Sequence, residues 1–482
     1  MMTKRPSCSH STLLFEPSPF AELAGFERPD QRTRIAATSK SGRAPPAVRN
    51  NSQTTASLSK EAQKESQTYP GPLVLPHDAL NYDPDGDEPA QSFRSWLHEK
   101  ARNKVTPERR TLYVGAPPTI DENVSFMKGW TTPNPAPDAA PSKTPSKKPR
   151  TEREPQSTTT NALQSPGVEE TIAYLRAFYH GFDVAPLPID LRWTSWENHG
   201  KGAKYRPVDT VRGIPTYIAL SYNGVATRIR ARRAPDGAFA AQLNLDDILD
   251  AAIAMLPADA YAIVLLVDHD IYESPDDDFC AGRAYGGSRV SVVQSARYNP
   301  LLDATVGITQ DHAWPASHCK SYIDSLCAVE EMEAKPATAT QTRLSKSGPM
   351  RAAVNAVSKL VVSDSNADLE ALWSSRVVRT VSHELGHCIC LAHCFYYACI
   401  MQSTASLLED IRQSPFLCPV CDSKVSHTVA VELQGGTEED KKRWVRDRYS
   451  ALKSFCEGGD RLQTTLWAGF HGWLGEVLGD KG

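Results

Sequence analysis

The chain has 482 residues, 40% hydrophobic and 23% charged, with a formal net charge of −4. That length fits two to three average domains, and the balance of charge gives no composition-level case for a nucleic-acid partner. The longest apolar run, 261–267 (YAIVLLV), suits a buried strand and is too short to cross a bilayer, so no membrane partner is implied.

Residues 1–65 are rich in Ser, Thr, Pro, Lys and Arg without periodicity, and disorder is expected there. Their start, MMTKRPSCSHST, has no apolar h-region, which argues against a standard secretion signal and for an intracellular location, cytoplasmic and/or nuclear. Residues 66–125 carry aromatic and aliphatic anchors (YPGPLVLPHDAL, SFRSWLHEKARN) and a strand-like RRTLYVGAPP. They read as an ordered N-terminal extension packed on the main domain. Residues 126–165 revert to low complexity, and their prolines disfavour helix and ladder alike, so they read as a linker. Its basic cluster, Lys143, Lys147, Lys148, Arg150 and Arg153, is either a solvated charged stretch or a nuclear localisation signal.

The main domain is expected over 166–475. VEETIAYLRAFYHGF places Ile172, Leu175, Phe178 and Tyr179 at helical spacing. IPTYIALSYN and ATRIRARR read as strands. Asn244 is a suitable N-cap for the helix LDDILDAAIAML, and a central strand follows at 261–267. Another strand carries Val290, Val292 and Val293. Residues 333–350 read as a polar loop, and a long helix should start near Asp368, with Trp373, Val377, Val378, Val381 and Leu385 on its apolar face. The Val267-Asp268-His269-Asp270 run is either a second metal site or, more simply, a hydrogen-bonded polar cluster at a strand end.

The helix runs into His383-Glu384-Leu385-Gly386-His387. Histidines four apart lie one turn above each other on one helical face, so both imidazoles can reach one metal. Glu384, next to the first, can hold a water and take its proton as general base. His393 is ten residues past His383 and needs the chain to leave the helix after about residue 389 and turn back. This three-His spacing resembles the metzincin signature HExxHxxGxxH, with Met401 where a Met-turn is expected. The signature's glycine is Cys390 here. A residue with a side chain takes the required left-handed turn at a cost of roughly 1 kcal/mol, and in a continued helix its sulfur would aim at the metal.

Six of the eleven cysteines lie between Cys388 and Cys421. Cys394, Cys399, Cys418 and Cys421 can close a tetrahedron around a structural zinc, with disulfides the alternative. Cys388 reads as a buried, inert side chain. Cys8, Cys280, Cys319, Cys327 and Cys456 have no metal-like spacing, and His312, His318 and His427 gain no role. Tyr396 and Tyr397 read as packing or as donors to an oxyanion.

Together these features resemble the archaemetzincin family, whose pattern is HExxHxxGxxHCx4CxMx17CxxC. His383, Glu384, His387, His393, Cys394, Cys399, Met401, Cys418 and Cys421 match, while Cys390 and one residue of spacing before Cys418 depart. The likeness is strongest over 381–421 and reaches loosely over 168–470 and to SFRSWL. It implies an α/β fold: a metzincin-like domain with a mixed twisted sheet, an antiparallel edge strand over the cleft, an active-site helix and a Met-turn. By the same likeness, the strand at about 289–295 is that edge strand, open to pairing with a peptide or simply protected against aggregation. The implied function is a zinc metallopeptidase with a catalytic zinc on His383, His387 and His393, a structural zinc on the four cysteines, and peptides or flexible protein segments as substrates. The alternative is a catalytically weak or inactive zinc-binding interaction protein, its metal perturbed by Cys390. A monomer is the default.

Overall fold

A computed structural model describes residues 8, 10–44, 60–76, 78, 90–134, 163–196, 213–361 and 365–479. The basic cluster at 143–153 and most of the expected linker lie outside the described residues. The strands, in chain order, are Thr111–Gly115 (β1), Thr119–Ile120 (β2), Asp183–Pro186 (β3), Arg192–Thr194 (β4), Tyr217–Tyr222 (β5), Val225–Arg232 (β6), Gln242–Asn244 (β7), Ala260–Val267 (β8), Ile271–Tyr272 (β9), Gly282–Tyr285 (β10) and Val290–Gln294 (β11).

The sheet that carries the site has the order β10-β11-β8-β1-β3. Strands β3, β1, β8 and β11 pair parallel, and β10 closes the sheet antiparallel. The sheet is therefore mixed. Successive side chains of β8 point to opposite faces. Val264 and Leu266 enter one core with Val377, Val378, Val381 and Leu385, whereas Ile263, Leu265 and Val267 enter a second with Ile248 and Leu249. Both faces are covered, so the strand reads as an unbroken apolar run and is buried at every residue. Each such aliphatic side chain stabilises the fold by about 1.5–3 kcal/mol.

The helix Leu245–Ala254 starts as its sequence dictates: the Asn244 side chain accepts from Asp247 N at 3.1 Å. The long helix Asn366–Cys388 starts on Ser365, whose hydroxyl accepts from Asp368 N at 3.2 Å. Its apolar stripe lies on the sheet and fixes which face carries the histidines.

Four expectations need correction. First, β1 does not pack on the outside of a finished domain. It is an interior strand between β8 and β3, because Leu112 and Val114 can bury only where both neighbours pair with it. Second, within 1–65, residues 10–44 are ordered. They form the helices Phe20–Leu23 and Gln31–Ala37 and bury Leu13, Phe15 and Phe20, apolar anchors too sparse to show periodicity. Third, the stretch 333–350 contains the helix Ala339–Leu344. A capping box nucleates it: Gln341 N donates to Thr338 Oγ1 (3.1 Å) and Thr338 N donates to Gln341 Oε1 (2.9 Å). Fourth, the edge strand is β10. The strand expected at the edge, β11, lies inside between β10 and β8, and its five residues are all buried.

A second sheet, of order β2-β4-β5-β6-β7-β9, was not foreseen as a unit. It shares the core of Ile248 and Leu249 through Trp193, Ile218, Leu220 and Ile229.

Candidate metal centres

The last two turns of the long helix carry His383, Glu384 and His387. The helix ends at Cys388, and Cys390 takes the left-handed conformation (φ 66°) that reverses the chain toward His393. The ligand atoms of His383, His387 and His393 all lie within 4.8 Å of one another, and Cys390 is not in that group. The corner of the site is thus left by the sulfur that a continued helix would have aimed there.

Hydrogen bonding sets the tautomers. His383 Nδ1 donates to the Ile400 carbonyl and His387 Nδ1 to the Leu391 carbonyl, each at 2.7 Å. A carbonyl only accepts, so the proton sits on Nδ1 and both Nε2 atoms present lone pairs. These two Nε2 atoms face each other at 3.0 Å. Burial keeps both rings neutral, pulling His387 down to about 3 and His383 well below its usual value, with the neighbouring imidazoles adding to the effect. Two opposed lone pairs in a buried site fit a shared cation. Two imidazole nitrogens on a tetrahedral zinc stand about 3.3 Å apart.

Glu384 is buried, and burial pushes its carboxyl up to about 8, with Arg283 opposing and Glu273 reinforcing the shift. Strand β10 passes directly over it: a Cβ on Gly282 would lie 3.2 Å from Glu384 Cγ. At Gly286 a Cβ would overlap the His387 carbonyl oxygen, so only glycine lets the chain run so close to the helix end. Met401 fills the opposite side, where a Cβ on Gly386 would meet its Sδ at 2.5 Å. A cleft of about 730 Å³ opens on this group, lined by the three histidines, Glu384, Arg283 and Tyr298, among others.

Next to it, Cys394, Cys399, Cys418 and Cys421 are all buried, with ligand atoms within 4.8 Å of one another. Cys394 Sγ lies 3.5 Å from Cys418 Sγ, and Cys418 N donates to Cys399 Sγ at 3.3 Å. Thiols of Cys399, Cys418 and Cys421 aimed at Cys394 hold it well below the ordinary range, and burial pushes Cys418 well above it. One sulfur sheds its proton readily because three others donate to it, the response of a ligand set built for positive charge. The loop is common to both groups: Cys394 N donates to Met401 O (2.7 Å), and Ile400, whose carbonyl holds His383, donates its N–H to Phe416 O (2.9 Å).

Several supports were not found by sequence reasoning. Gln91 Nε2 donates to Cys390 O (3.0 Å), Ala392 N donates to Gln91 Oε1 (3.1 Å), and Trp96 Nε1 donates to Ile389 O (2.9 Å). This segment splints the turn that delivers His393, and SFRSWL was its one visible trace. Arg283 had no signal. Tyr396 and Tyr397 are engaged away from the cleft, with Ala90 O (2.8 Å) and Glu65 Oε1 (2.6 Å). Asp268 bonds Ser295, and Asp270 pairs with Arg297. His269 packs between Trp130 and Trp193, so these three make a polar cluster rather than a metal site. Cys388 is fully buried and its thiol is pushed up by that burial.

Residues 350–427 match the model of peptidase family M54. The chain is 43% identical to the archaemetzincin of Pyrobaculum aerophilum over 49 residues, 10% of this chain and 32% of that protein. It is 42% identical to that of Methanopyrus kandleri over 73 residues, 15% of this chain and 39% of that protein. Over this stretch the chain is similar to the archaemetzincins. Archaemetzincin-1 of Mus musculus aligns over more, 259 residues at 24% identity, 54% of this chain and 41% of that protein. The chain spans about a third to two fifths of the length of these curated relatives. The chain differs from the archaemetzincin pattern at Cys390, where the left-handed φ shows why glycine is the simpler choice.

Proposed function

We propose that this protein is a zinc-dependent peptidase of the archaemetzincin kind in which His383, His387 and His393 hold the catalytic metal and Glu384 is the general base. One observation carries the reading: two imidazole nitrogens, forced by carbonyl partners to present lone pairs, face each other beside a buried carboxyl on the floor of a cleft. A zinc ion bound there supplies Lewis acidity, which lowers the pKa of water toward neutrality and polarises a carbonyl.

Glu384 then has two tasks. It accepts the proton of the attacking water and passes it to the departing amine. Burial raises its proton affinity, and the charge of a zinc held beside it would bring that affinity down again, so that the carboxylate can take the water's proton and keep it until the amine leaves. Strand β10 ends its sheet, so one row of its backbone groups lacks a strand partner among the described residues. An extended peptide can pair there, its carbonyl brought over Glu384. Peptides and flexible protein segments are therefore the substrate class.

The four cysteines hold a second, structural zinc. Four thiolates close the tetrahedron and brace the loop that presents Ile400 O to His383. Unlinked thiols of this kind suit a reducing intracellular compartment, cytoplasmic or nuclear. No described helix is long and apolar enough to cross a membrane.

The test is a peptide library incubated with zinc-loaded full-length protein and read by mass spectrometry. Glu384→Gln should keep its zinc and lose about 10²–10⁴-fold in rate. Unchanged cleavage by this variant would overturn the mechanism.

A further inference from the structure

Cys8 and His10 belong to the N-terminal segment, and His312 and Cys319 to a region some 300 residues later, so no local spacing links them. The fold brings the first three together and sets Cys319 beside Cys8. Ligand atoms of Cys8, His10 and His312 lie within 4.8 Å of one another. The Sγ of Cys319 lies 3.4 Å from that of Cys8, close to the 3.5 Å between Cys394 and Cys418 in the four-cysteine group. Two thiolates on one tetrahedral zinc stand about 3.8 Å apart.

We propose that Cys8, His10, His312 and Cys319 form a further zinc site that clamps the N-terminal segment onto the domain. Three observations support the donor set. His312 Nε2 is sealed from solvent without a hydrogen-bond partner among the described residues, a costly state that a coordinate bond would relieve. The His312 ring is held in place by stacking on Tyr322, with centroids 3.9 Å apart and planes at 9°. The segment on the other side is equally fixed. Leu14 N donates to His318 O (2.8 Å), Lys320 N to Thr12 O (2.9 Å), and Arg351 Nη2 to His10 O (2.8 Å).

Two sulfurs and two imidazoles with no carboxylate select zinc among the common cations. The role is structural, because the donors tie two distant segments and lie apart from the cleft residues. The inference does not depend on peptidase activity.

Zinc per chain, measured by mass spectrometry on full-length protein purified under reducing conditions, tests it. Cys8→Ser and the double variant His10→Ala/His312→Ala should each hold about one zinc fewer than the parent, with an unchanged far-ultraviolet circular dichroism spectrum. The cobalt(II)-loaded variants should lose part of the thiolate charge-transfer absorption. Limited proteolysis should cut the variants faster within residues 10–20. Equal zinc content in parent and both variants would overturn the proposal. So would a peptide map of the unreduced, air-exposed parent showing Cys8 linked to Cys319 with zinc content unchanged.

Discussion

Gly386→Ala places a methyl group where the long helix lies against Met401, and two effects of opposite sign compete. Alanine in a helix interior is favoured over glycine by about 1 kcal/mol. Against that, the new Cβ would lie 2.5 Å from Met401 Sδ, 3.0 Å from its Cε and 3.6 Å from the Tyr179 hydroxyl. Ordinary contact is about 3.5–4.0 Å, so the thioether must yield by about 1 Å. It has little room, since Met401 is fully buried and its backbone carbonyl is held by Cys394 N at 2.7 Å. Overpacking of that kind costs about 1–3 kcal/mol, which exceeds the propensity gain. A net loss of about 1 kcal/mol is expected, and His383 and His387 should bind zinc more weakly because they flank the displaced turn. Urea unfolding at fixed free zinc, combined with Met401→Ala in a double-mutant cycle, reads the effect. Once the thioether is gone, the methyl should cost about 1–3 kcal/mol less than it does in the parent. Additive behaviour, or a stabilised Gly386→Ala protein, would refute the reasoning.

Cys390→Gly relieves a left-handed side chain and should stabilise the protein by about 1 kcal/mol with cleavage unchanged, as melting and rate measurements will show. A large rise in rate would place the sulfur on the metal after all. Cys418→Ser should release one zinc and lower the melting temperature by roughly 5 °C or more, and a variant as stable as the parent counts against a four-thiolate site. His269 is fully buried, and burial pulls its pKa from 6.5 to about 4. The unfolded chain therefore binds the proton more readily. Stability is whole above about pH 6.5 and is lost as pH falls toward 4, by up to about 3 kcal/mol. His269→Gln should flatten the pH slope of the unfolding free energy across that window by about 1.4 kcal/mol per unit, and parallel slopes in parent and variant would contradict this.

The histidine and cysteine groups were legible because their ligands fall within one short stretch, 383–421, where helical period and turn geometry dictate who meets whom. The identity of the edge strand was not. Val290, Val292 and Val293 marked β11 as a strand, but its neighbours are set by long-range pairing with β8 and β10, which alternation does not encode. The same holds for Gln91, Trp96 and Arg283, each brought to the site from a separate segment by tertiary packing. The helix Ala339–Leu344 was missed for a different reason: its polar face outweighed a capping box that was present in the sequence.

The place of β1 has a bearing on biosynthesis. This strand leaves the ribosome about 70 residues before β3 and about 150 before β8, the two strands that flank it. Until both have been translated, its two edges are open to pairing with other nascent chains. A fragment beginning at residue 166 would meet the reverse difficulty, a sheet broken between β8 and β3, so recombinant production of this protein should keep residues 111–115 in the chain.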